Sequence, residues 1–301
     1  MSLFAPLWRR GGLAREQEVD MTGTDSATTG AESVAPLRDA ATVVLVRDGG
    51  DTGSGGIEVF LQRRVKQMAF AGGVTVFPGG GVDTRDADAD LAWSGPDPTW
   101  WAQQLGTTDE LAQALVCAAV RETFEECGVL LASRSDGSFA DPTTLRDERR
   151  KLVDKTISFA EFLRAHDLTL RADLLRPLAH WITPKNEKRR YDTRFFLAAM
   201  PEGQIADDAT SEADVARWVG AADALTAWSD GKHFLLPPTW TQLTEVARFD
   251  AVDDLLAAPR TIEPIEPDVS AGQQGLRGLS FAGSERYFAS LSDHAVPDIK
   301  L

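Results

Sequence analysis

Short apolar runs in the first part of the chain predict β-strands. Residues 40–46 are largely apolar and β-branched, which is typical of a buried strand. Residues 57–64 alternate between apolar and polar side chains and predict an antiparallel hairpin partner for that strand. A third short strand, residues 73–77, leads into a run of glycines. Further on, residues 178–184 and 192–200 predict two more strands, and an acidic loop precedes the apolar run 215–219.

Helical spacing appears between and after these strands. Acidic residues at 109 and 110 open a helix, and Gly128 supplies the left-handed residue that ends it. The segment 143–166 predicts two amphipathic helices that are split near Thr156. Another helix opens at Asp223, and a last one is predicted after Trp240. The apolar stripe of the helix from 109 consists of Leu111, Leu115, Ala118, Ala119 and Phe124, and that of the last helix of Leu243, Val246, Phe249, Leu255 and Leu256.

A chain of 301 residues is long enough for one large domain or for a domain with appendages. We expect residues 1–36 to be a flexible leader, because they are rich in Gly, Ser, Thr and Ala with little periodicity. The domain is predicted at 37–260, and residues 261–301 are expected to be a tail packed on it. The segment from about 83 to 108 carries three indoles (Trp93, Trp100 and Trp101), so we expect it to pack on the body or to cap a site.

The charge balance narrows the range of partners. With 31 basic and 46 acidic residues the formal net charge is −15, which disfavours nucleic acid and anionic membranes. No apolar run approaches the length that spans a bilayer. Cys117 and Cys127 lie ten residues apart on one predicted helix, too far for a disulfide. These features, and an ending on Ile299-Lys300-Leu301 that lacks the Ser-Lys-Leu peroxisomal address, predict a cytoplasmic protein.

The candidate chemistry lies near the end of the helix that begins at 109. Residues three and four apart share a helix face, so Glu122, Glu125 and Glu126 crowd three carboxylates onto one patch. The negative end of the helix dipole increases their repulsion, which a bound divalent cation would remove. Oxygen ligands of this kind suit Mg²⁺ or Mn²⁺. The alternative is a solvated acidic face.

Two further groups of residues extend this hypothesis. In Phe77-Pro78-Gly79-Gly80-Gly81 the backbone is able to approach a metal or phosphate closely. Arg63 and Arg64 end a predicted strand, where they face either a diphosphate or solvent. Arg189 and Arg190 belong to a basic patch that is either a solvated loop or a neighbour of an anionic substrate. His180 and His233 are isolated, so they are interpreted as structural.

Together the glycine run and the acidic helix resemble the Nudix box: Gly, five residues, Glu, seven residues, then Arg-Glu-apolar-any-Glu-Glu-any-Gly-apolar. Residues 121–129 match its second half, with Thr123 at the first apolar position. Arg121 lies 41 residues after Gly80 where the pattern has 14, so about 27 residues are inserted. Gln113 stands eight residues before Arg121, and on that count no residue is assigned to the outer Glu of the pattern.

The resemblance implies a Nudix-type α/β/α sandwich with a mixed β-sheet and a loop-helix catalytic motif. It implies that Glu122, Glu125 and Glu126, with the carbonyl of Gly79 or Gly80, hold Mg²⁺ or Mn²⁺, and that Arg121 orients this cluster through a salt bridge. Glu212, six residues before Trp218, is predicted to be the base that activates water or another metal ligand.

More specifically, residues 181–184, 189–196 and 236–238 resemble the coenzyme A diphosphatase branch with an interrupted box. Residues 73–80 resemble part of the coenzyme A signature, although Ala69 stands where that signature has Arg. The implied activity is metal-dependent hydrolysis of a nucleoside diphosphate linked to another moiety, with coenzyme A or acyl-CoA as candidates.

Two alternatives remain at this point. One is an ADP-ribose or NADH diphosphatase, and the other is a non-catalytic Nudix-fold binding or regulatory module. Retention of the Arg-Glu and Glu-Glu pairs argues against the module, because a binder has no need of crowded carboxylates. The expected partner is a small nucleoside diphosphate derivative, and a homodimer is left open.

Overall fold

The strands predicted from the apolar runs are present and join one mixed sheet. A computed structural model describes residues 34–50, 56–65, 73–88, 90–210, 213–269 and 276–291. The strands are β1 (Leu37–Asp48), β2 (Ile57–Arg64), β3 (Thr75–Val76), β4 (Gly79–Gly81), β5 (Trp93–Ser94), β6 (Ala132–Ser133), β7 (Thr169–Arg171), β8 (Leu175–Ile182), β9 (Arg190–Ala199), β10 (Ala213–Gly220), β11 (Pro264–Ile265), β12 (Asp268–Val269) and β13 (Leu279–Ser280).

The helices surround this sheet. They are α1 (Pro98–Leu105), α2 (Asp109–Cys127), α3 (Arg146–Val153), α4 (Phe159–Ala165), α5 (Ala221–Ser229), α6 (Pro237–Val246), α7 (Val252–Ala257) and α8 (Ser284–Ser290), with 3₁₀ turns at Thr84–Ala87, Pro142–Leu145, Ala172–Leu174 and Leu276–Gly278. The predicted helix from 109 to Gly128 is thereby confirmed, as is the pair of helices split near Thr156.

Strand β1 is central to the main sheet. The order is β10-β2-β1-β9-β8-β11, with β3 added to β2 and β4 added to β1. β1 pairs antiparallel with β2, as predicted, and parallel with β9 over ten residues. The glycine run, predicted as a loop after a strand, pairs with β1 as the short strand β4. This pairing fixes the glycine backbone against the centre of the sheet.

Alternate residues of β1 point to two separate cores. Val43 and Leu45 pack on one face with residues of α1, α2 and α4, whereas Val44 and Val46 pack on the other face with residues of α5, α6 and α8. Because the period of a strand is two, a β-branched run buried on both faces is what the residues 40–46 predicted. The arrangement is an α/β/α sandwich with a mixed sheet, and the predicted fold class is confirmed.

The tryptophan-rich segment folds against the body of the protein. Trp101 of α1 is fully buried and its ring lies 5.7 Å from that of Phe196, whereas Trp100 stays 37% exposed. The sequence pattern did not predict α1 as a helix. Its start is nevertheless encoded locally, because Asp97 caps Trp100 and Pro98 occupies the first helical turn.

One helix prediction was wrong in its extent. The apolar stripe from Leu243 to Leu256 was assigned to a single helix, but the structure divides it into α6 and α7. The break is stabilised from outside the segment, because the Asp48 carboxylate accepts a hydrogen bond of 2.8 Å from the Val252 backbone N–H at the start of α7. Such a cap from a distant strand leaves no local signal.

Residues of the C-terminal part contribute to the second core. Tyr287 of α8 is fully buried, and its hydroxyl donates a 2.8 Å hydrogen bond to the Leu235 carbonyl. β11 pairs with β8, and β12 with β13. The predicted leader lies outside the described residues, apart from its last three positions, and the predicted domain boundaries stay predictions.

Candidate functional site

Helix α2 brings the predicted carboxylates to the edge of the sheet. The Thr108 side chain caps its first turn, and Gly128 ends it with φ of 71° and an N–H bond to the Phe124 carbonyl. Most of the helix is buried, so its last turns are held rigidly. Glu122 packs against Gly80, Glu126 accepts a hydrogen bond from the Gly79 N–H, and Glu125 lines the same cleft. The structure therefore brings together the two halves of the predicted motif.

Arg121 is the centre of the site. Its guanidinium, almost fully buried, donates through Nη1 to Glu122 (2.7 Å) and Glu125 (3.3 Å) and through Nη2 to the Gly81 carbonyl (3.0 Å). Nε and Nη2 donate to the two oxygens of the Asp86 carboxylate in a bidentate pair, at 3.0 and 2.9 Å. Burial opposes its charge, but Glu122, Asp86 and Glu125 together raise the pKa of Arg121. The side chain is fully committed to the protein, and its orienting role stays a prediction.

Asp86 is a further acid of the site, which was not among the predicted site residues. It lies six residues after Gly80, the Gly-to-Glu spacing of the pattern, with Asp in place of Glu. Counting backward from Arg121 reached Gln113 instead, whose amide donates to the Asp88 carbonyl within the insert. The interruption therefore follows Asp86, and a count forward from the glycine would have found this acid.

Asp86 is fixed from both of its oxygens. It is 1% exposed and belongs to a capping box, in which its Oδ2 accepts from the Asp83 backbone N–H at 2.8 Å. The same carboxylate neutralises Arg121, with which it forms a buried pair. A short 3₁₀ turn thus connects the glycine strand to the interior of the cluster.

Burial shifts the titration of the carboxylates. Burial raises the pKa of Glu122 to about 7, with Arg121 opposing and Glu125 adding to the shift. The pKa of Glu125 is also raised, mainly by burial. Glu126 is held differently, because its Oε2 accepts from Gln62 Nε2 and from the Gly79 N–H, each at 2.9 Å. Glu122 and Glu125 therefore carry negative charge at an energetic disadvantage near neutral pH.

The glycines are required by close approach. A Cβ on Gly80 would stand 2.6 Å from Glu122 Oε1, and one on Gly79 would stand 2.5 Å from the Ala41 carbonyl oxygen. Only glycine avoids both collisions. The Glu122 carboxylate therefore packs directly against the backbone of β4. That the Gly79 or Gly80 carbonyl binds a metal stays a prediction.

The residues present fit a hard divalent cation. Within the described ranges, no three carboxylate, imidazole or thiolate groups form a ready-made metal cage, because Arg121 holds two of the glutamates and Glu126 is hydrogen-bonded. The donor set is nevertheless all oxygen, and burial destabilises its anions, which a cation would correct. Glu122, Glu125 and Glu126 are the residues that would hold it.

A cleft of ≈ 1290 Å³ opens beside this cluster. One wall is polar, with Arg121 and the three glutamates. Another is apolar and comes from β8, β9, α6 and the C-terminal residues, namely Trp181, Ile182, Phe195, Leu236, Pro237, Pro238, Pro267, Leu276 and Leu279. A ligand with one charged and one apolar part would match both walls.

The four predicted substrate arginines are dispersed. Arg64 lines the cleft, whereas Arg63 forms an exposed ion pair of 2.8 Å with Asp214 of the edge strand β10. Arg189 is exposed outside the lining. Arg190 is buried and occupied by Glu266 at 2.7 Å and by the Thr183 carbonyl. In the part of the chain that the structure describes, Arg64 is therefore the one predicted substrate arginine that lines the cleft.

The remaining candidates are placed as follows. Glu212, the predicted base, lies outside the described residues. His180 forms a 2.5 Å contact with Asp192, and the ring of His233 bonds to the Ala224 carbonyl at 2.9 Å, so both have structural partners. Cys117 and Cys127 are free and buried, and the expectation of no disulfide between them is confirmed.

Comparison with known proteins identifies the class that this fold and site define. The chain is 30% identical to a Nudix hydrolase of Alicyclobacillus acidocaldarius, with a TM-score of 0.64, and the match covers 76% of this chain and 99% of that structure. The chain belongs to the Nudix hydrolase family. Nudix hydrolases generally use divalent metal ions.

Within that family the similarity is more specific. The family model described as the NUDT19 Nudix domain matches residues 101–249. The chain is 29% identical over 196 residues to "Putative nudix hydrolase 7" of Caenorhabditis elegans, covering 65% of this chain and 57% of that protein. It is 25% identical over 252 residues to "Acyl-coenzyme A diphosphatase NUDT19" of Homo sapiens, covering 70% of this chain and 66% of that protein.

These matches span somewhat less than two thirds of the two curated relatives' own length. Where the structure describes the chain, none of its helices combines the length and the apolar character that a membrane crossing requires.

Proposed function

We propose that the protein is a divalent-metal-dependent diphosphatase that hydrolyses a nucleoside diphosphate linked to another moiety, with coenzyme A or acyl-CoA as the substrate. The observation that carries this proposal is the buried cluster of Arg121, Asp86 and three glutamates at the wall of a large cleft. The similarity of the chain to proteins named acyl-coenzyme A diphosphatase supports the choice of substrate.

Glu122, Glu125 and Glu126 would hold Mg²⁺ or Mn²⁺. A bound divalent ion neutralises diphosphate oxygens and lowers the pKa of coordinated water. Arg121 contributes by position, because its pairs with Asp86, Glu122 and Glu125 keep the carboxylates in one arrangement before substrate arrives. Gln62 holds Glu126 in place in the same way, by donating a hydrogen bond to its carboxylate.

The proton of the attacking water needs an acceptor. We propose Glu212 for this role, because it follows the cleft-lining residue Thr210 by two positions. The apolar wall formed by Trp181, Phe195 and Leu236 supports a substrate with an extended non-nucleotide arm, such as an acyl-pantetheine chain.

A substrate panel tests the activity. We expect the protein to convert coenzyme A and acyl-CoA, in the presence of Mg²⁺ or Mn²⁺ and not with a chelator, into adenosine 3′,5′-bisphosphate and a phosphopantetheine product. Faster turnover of ADP-ribose or NADH would change the substrate assignment. Binding of these compounds without any metal-dependent product would instead support a binding or regulatory module.

Paired variants test the site. Glu125→Gln and Glu126→Gln should each lower turnover by a few powers of ten, on the order of several kcal/mol of lost transition-state stabilisation. Glu245→Gln is a matched control, because Glu245, near the end of α6, forms a partly exposed pair with Arg248. Near-normal turnover of both box variants would contradict the assignment.

Size-exclusion chromatography of the active fractions would show whether a homodimer is the working form.

A further inference from the structure

Lys155 adopts an unusual backbone conformation just after α3. Its φ is +56°, and it is one of two non-glycine residues with positive φ in the described ranges. The Lys155 N–H donates to the Leu152 carbonyl (2.8 Å), and the Thr156 N–H donates to the Lys151 carbonyl (2.9 Å). This bonding is the Schellman motif that ends many helices, and glycine is the residue normally found at the position of Lys155.

A lysine there carries a steric disadvantage that glycine would avoid. The other such residue, Asp167, ends α4 in the same way, but a short polar side chain tolerates the left-handed region better. Lys155 has no such local explanation. Strained positions of this kind are concentrated at functional sites, where the surroundings hold them in place.

The surroundings of Lys155 are the candidate site. Lys155 lines the main cleft, and it also lines a small cavity beside Arg121 and Glu125. Its carbonyl oxygen accepts a 3.2 Å hydrogen bond from Arg85 Nη1. Arg85 is in turn held by Asp83 at 2.9 Å. The backbone of Lys155 is thus tied to the turn that contains Asp86.

Its ammonium group is available to a ligand. Across the described part of the chain no carboxylate lies within ion-pair distance of Lys155, whereas Lys151, one turn earlier in α3, pairs with Glu148 at 3.7 Å. Lys155 and Glu125 nevertheless line the same small cavity, so the lysine lies beside the glutamate cluster. Of the cations that line the cleft, Arg121 is already committed to Asp86 and two glutamates.

We propose that Lys155 binds a non-bridging phosphate oxygen of the substrate diphosphate beside the glutamate cluster. This proposal rests on the proposed function. An ammonium here neutralises charge on the phosphate that the metal leaves uncovered, and three rotatable donors suit a tetrahedral anion. The left-handed turn that ends α3 holds this lysine at a position that lines the cleft.

Three substitutions separate the ammonium from the backbone. Lys155→Met keeps the length without the charge, Lys155→Gly relieves the left-handed backbone, and Lys155→Arg keeps a cation. We expect Met and Gly to lower kcat/KM for coenzyme A about 10- to 100-fold, the size expected for one charge-assisted hydrogen bond, mainly through KM. The Arg variant should recover part of the loss, and Lys151→Met should match wild type.

Two further readouts exclude a merely structural role. Calorimetric Mg²⁺ affinity should not weaken in Lys155→Met, because the substitution removes a positive charge beside the glutamates. The Tm of Lys155→Gly should not fall, since the backbone strain is removed. A kcat/KM of Lys155→Met within twofold of wild type would overturn the proposal. So would a loss that is matched by weaker Mg²⁺ binding and a lower Tm.

The proposed function fails on a different result, namely a wild-type protein without metal-dependent product. In that case calorimetric binding of coenzyme A still decides the role of Lys155. Weaker binding to Lys155→Met than to wild type supports the contact, and equal binding overturns it.

Discussion

Replacing Glu122 by glutamine tests whether the carboxylate cluster is strained without its cation. Burial, with Arg121 opposing, raises the pKa of Glu122 from an ordinary 4.5 to about 7. The folded state therefore binds more protons than the unfolded state between these two values, and stability falls as pH rises through that window. Because one pKa unit corresponds to 1.36 kcal/mol, the full loss is about 3 kcal/mol.

A glutamine at this position carries no titrating proton, so the variant escapes this loss. Without metal, we expect Glu122→Gln to exceed wild type in unfolding free energy by up to about 3 kcal/mol above pH 7. The advantage should shrink as the pH falls toward 5, where Glu122 is largely protonated in the folded wild type. Added Mg²⁺ should reverse the order above pH 7, because a ligand that binds the native state stabilises it.

Urea unfolding in the presence of a chelator, followed by circular dichroism at several pH values from 5 to 8.5, measures this difference. Glu245→Gln is the control, since it removes the same charge from a surface pair with Arg248 and should show no comparable pH dependence. A difference between Glu122→Gln and wild type that is constant across pH would refute the reasoning. Greater stability of metal-free wild type at pH 8 would refute it as well.

Three further predictions follow from contacts of the site and the core. Asp86→Asn leaves Arg121 with less compensation in a buried position and should destabilise the protein by about 3 kcal/mol in urea unfolding; a loss below about 1 kcal/mol would contradict a buried pair. Gly79→Ala should lower Tm, because the new Cβ meets backbone, whereas Gly80→Ala meets only a movable carboxylate and should preserve Tm while weakening calorimetric Mg²⁺ binding. Equal effects of the two glycine variants on Tm would exclude this distinction. Tyr287→Phe removes one buried hydrogen bond to backbone and should cost about 1–2 kcal/mol by chemical denaturation, and an unchanged midpoint would argue against that bond.

Features encoded within a few residues were predictable from the sequence. The crowding of Glu122, Glu125 and Glu126 follows from helical spacing alone, and the end of α2 follows from Gly128. The β-branched run of β1 and the alternation of β2 likewise predicted an antiparallel hairpin, which the register Val46↔Val59 confirms.

Long-range partners were not predictable in the same way. Arg190 was a candidate for substrate binding on its charge, but its guanidinium is buried against Glu266, which lies 76 residues away in the sequence. Arg63 is similarly engaged by Asp214. The sequence does not show whether a charged side chain contacts a ligand or a distant carboxylate. For Arg190 and Arg63 this is decided by how β9 and β2 pack in the folded protein.

By itself, the sequence determined the two halves of the motif and the helix that carries the glutamates, since each depends on spacing along one segment. The mixed sheet was expected only from the resemblance to the Nudix family. Only the tertiary structure decided that Asp86 is the partner of Arg121 and that Lys155 stands at the cleft. Asp86 lies before most of the insert and Arg121 after it, and Lys155 lies in the turn between α3 and α4. These segments meet only when the chain folds, so no local periodicity in the sequence predicts their contacts.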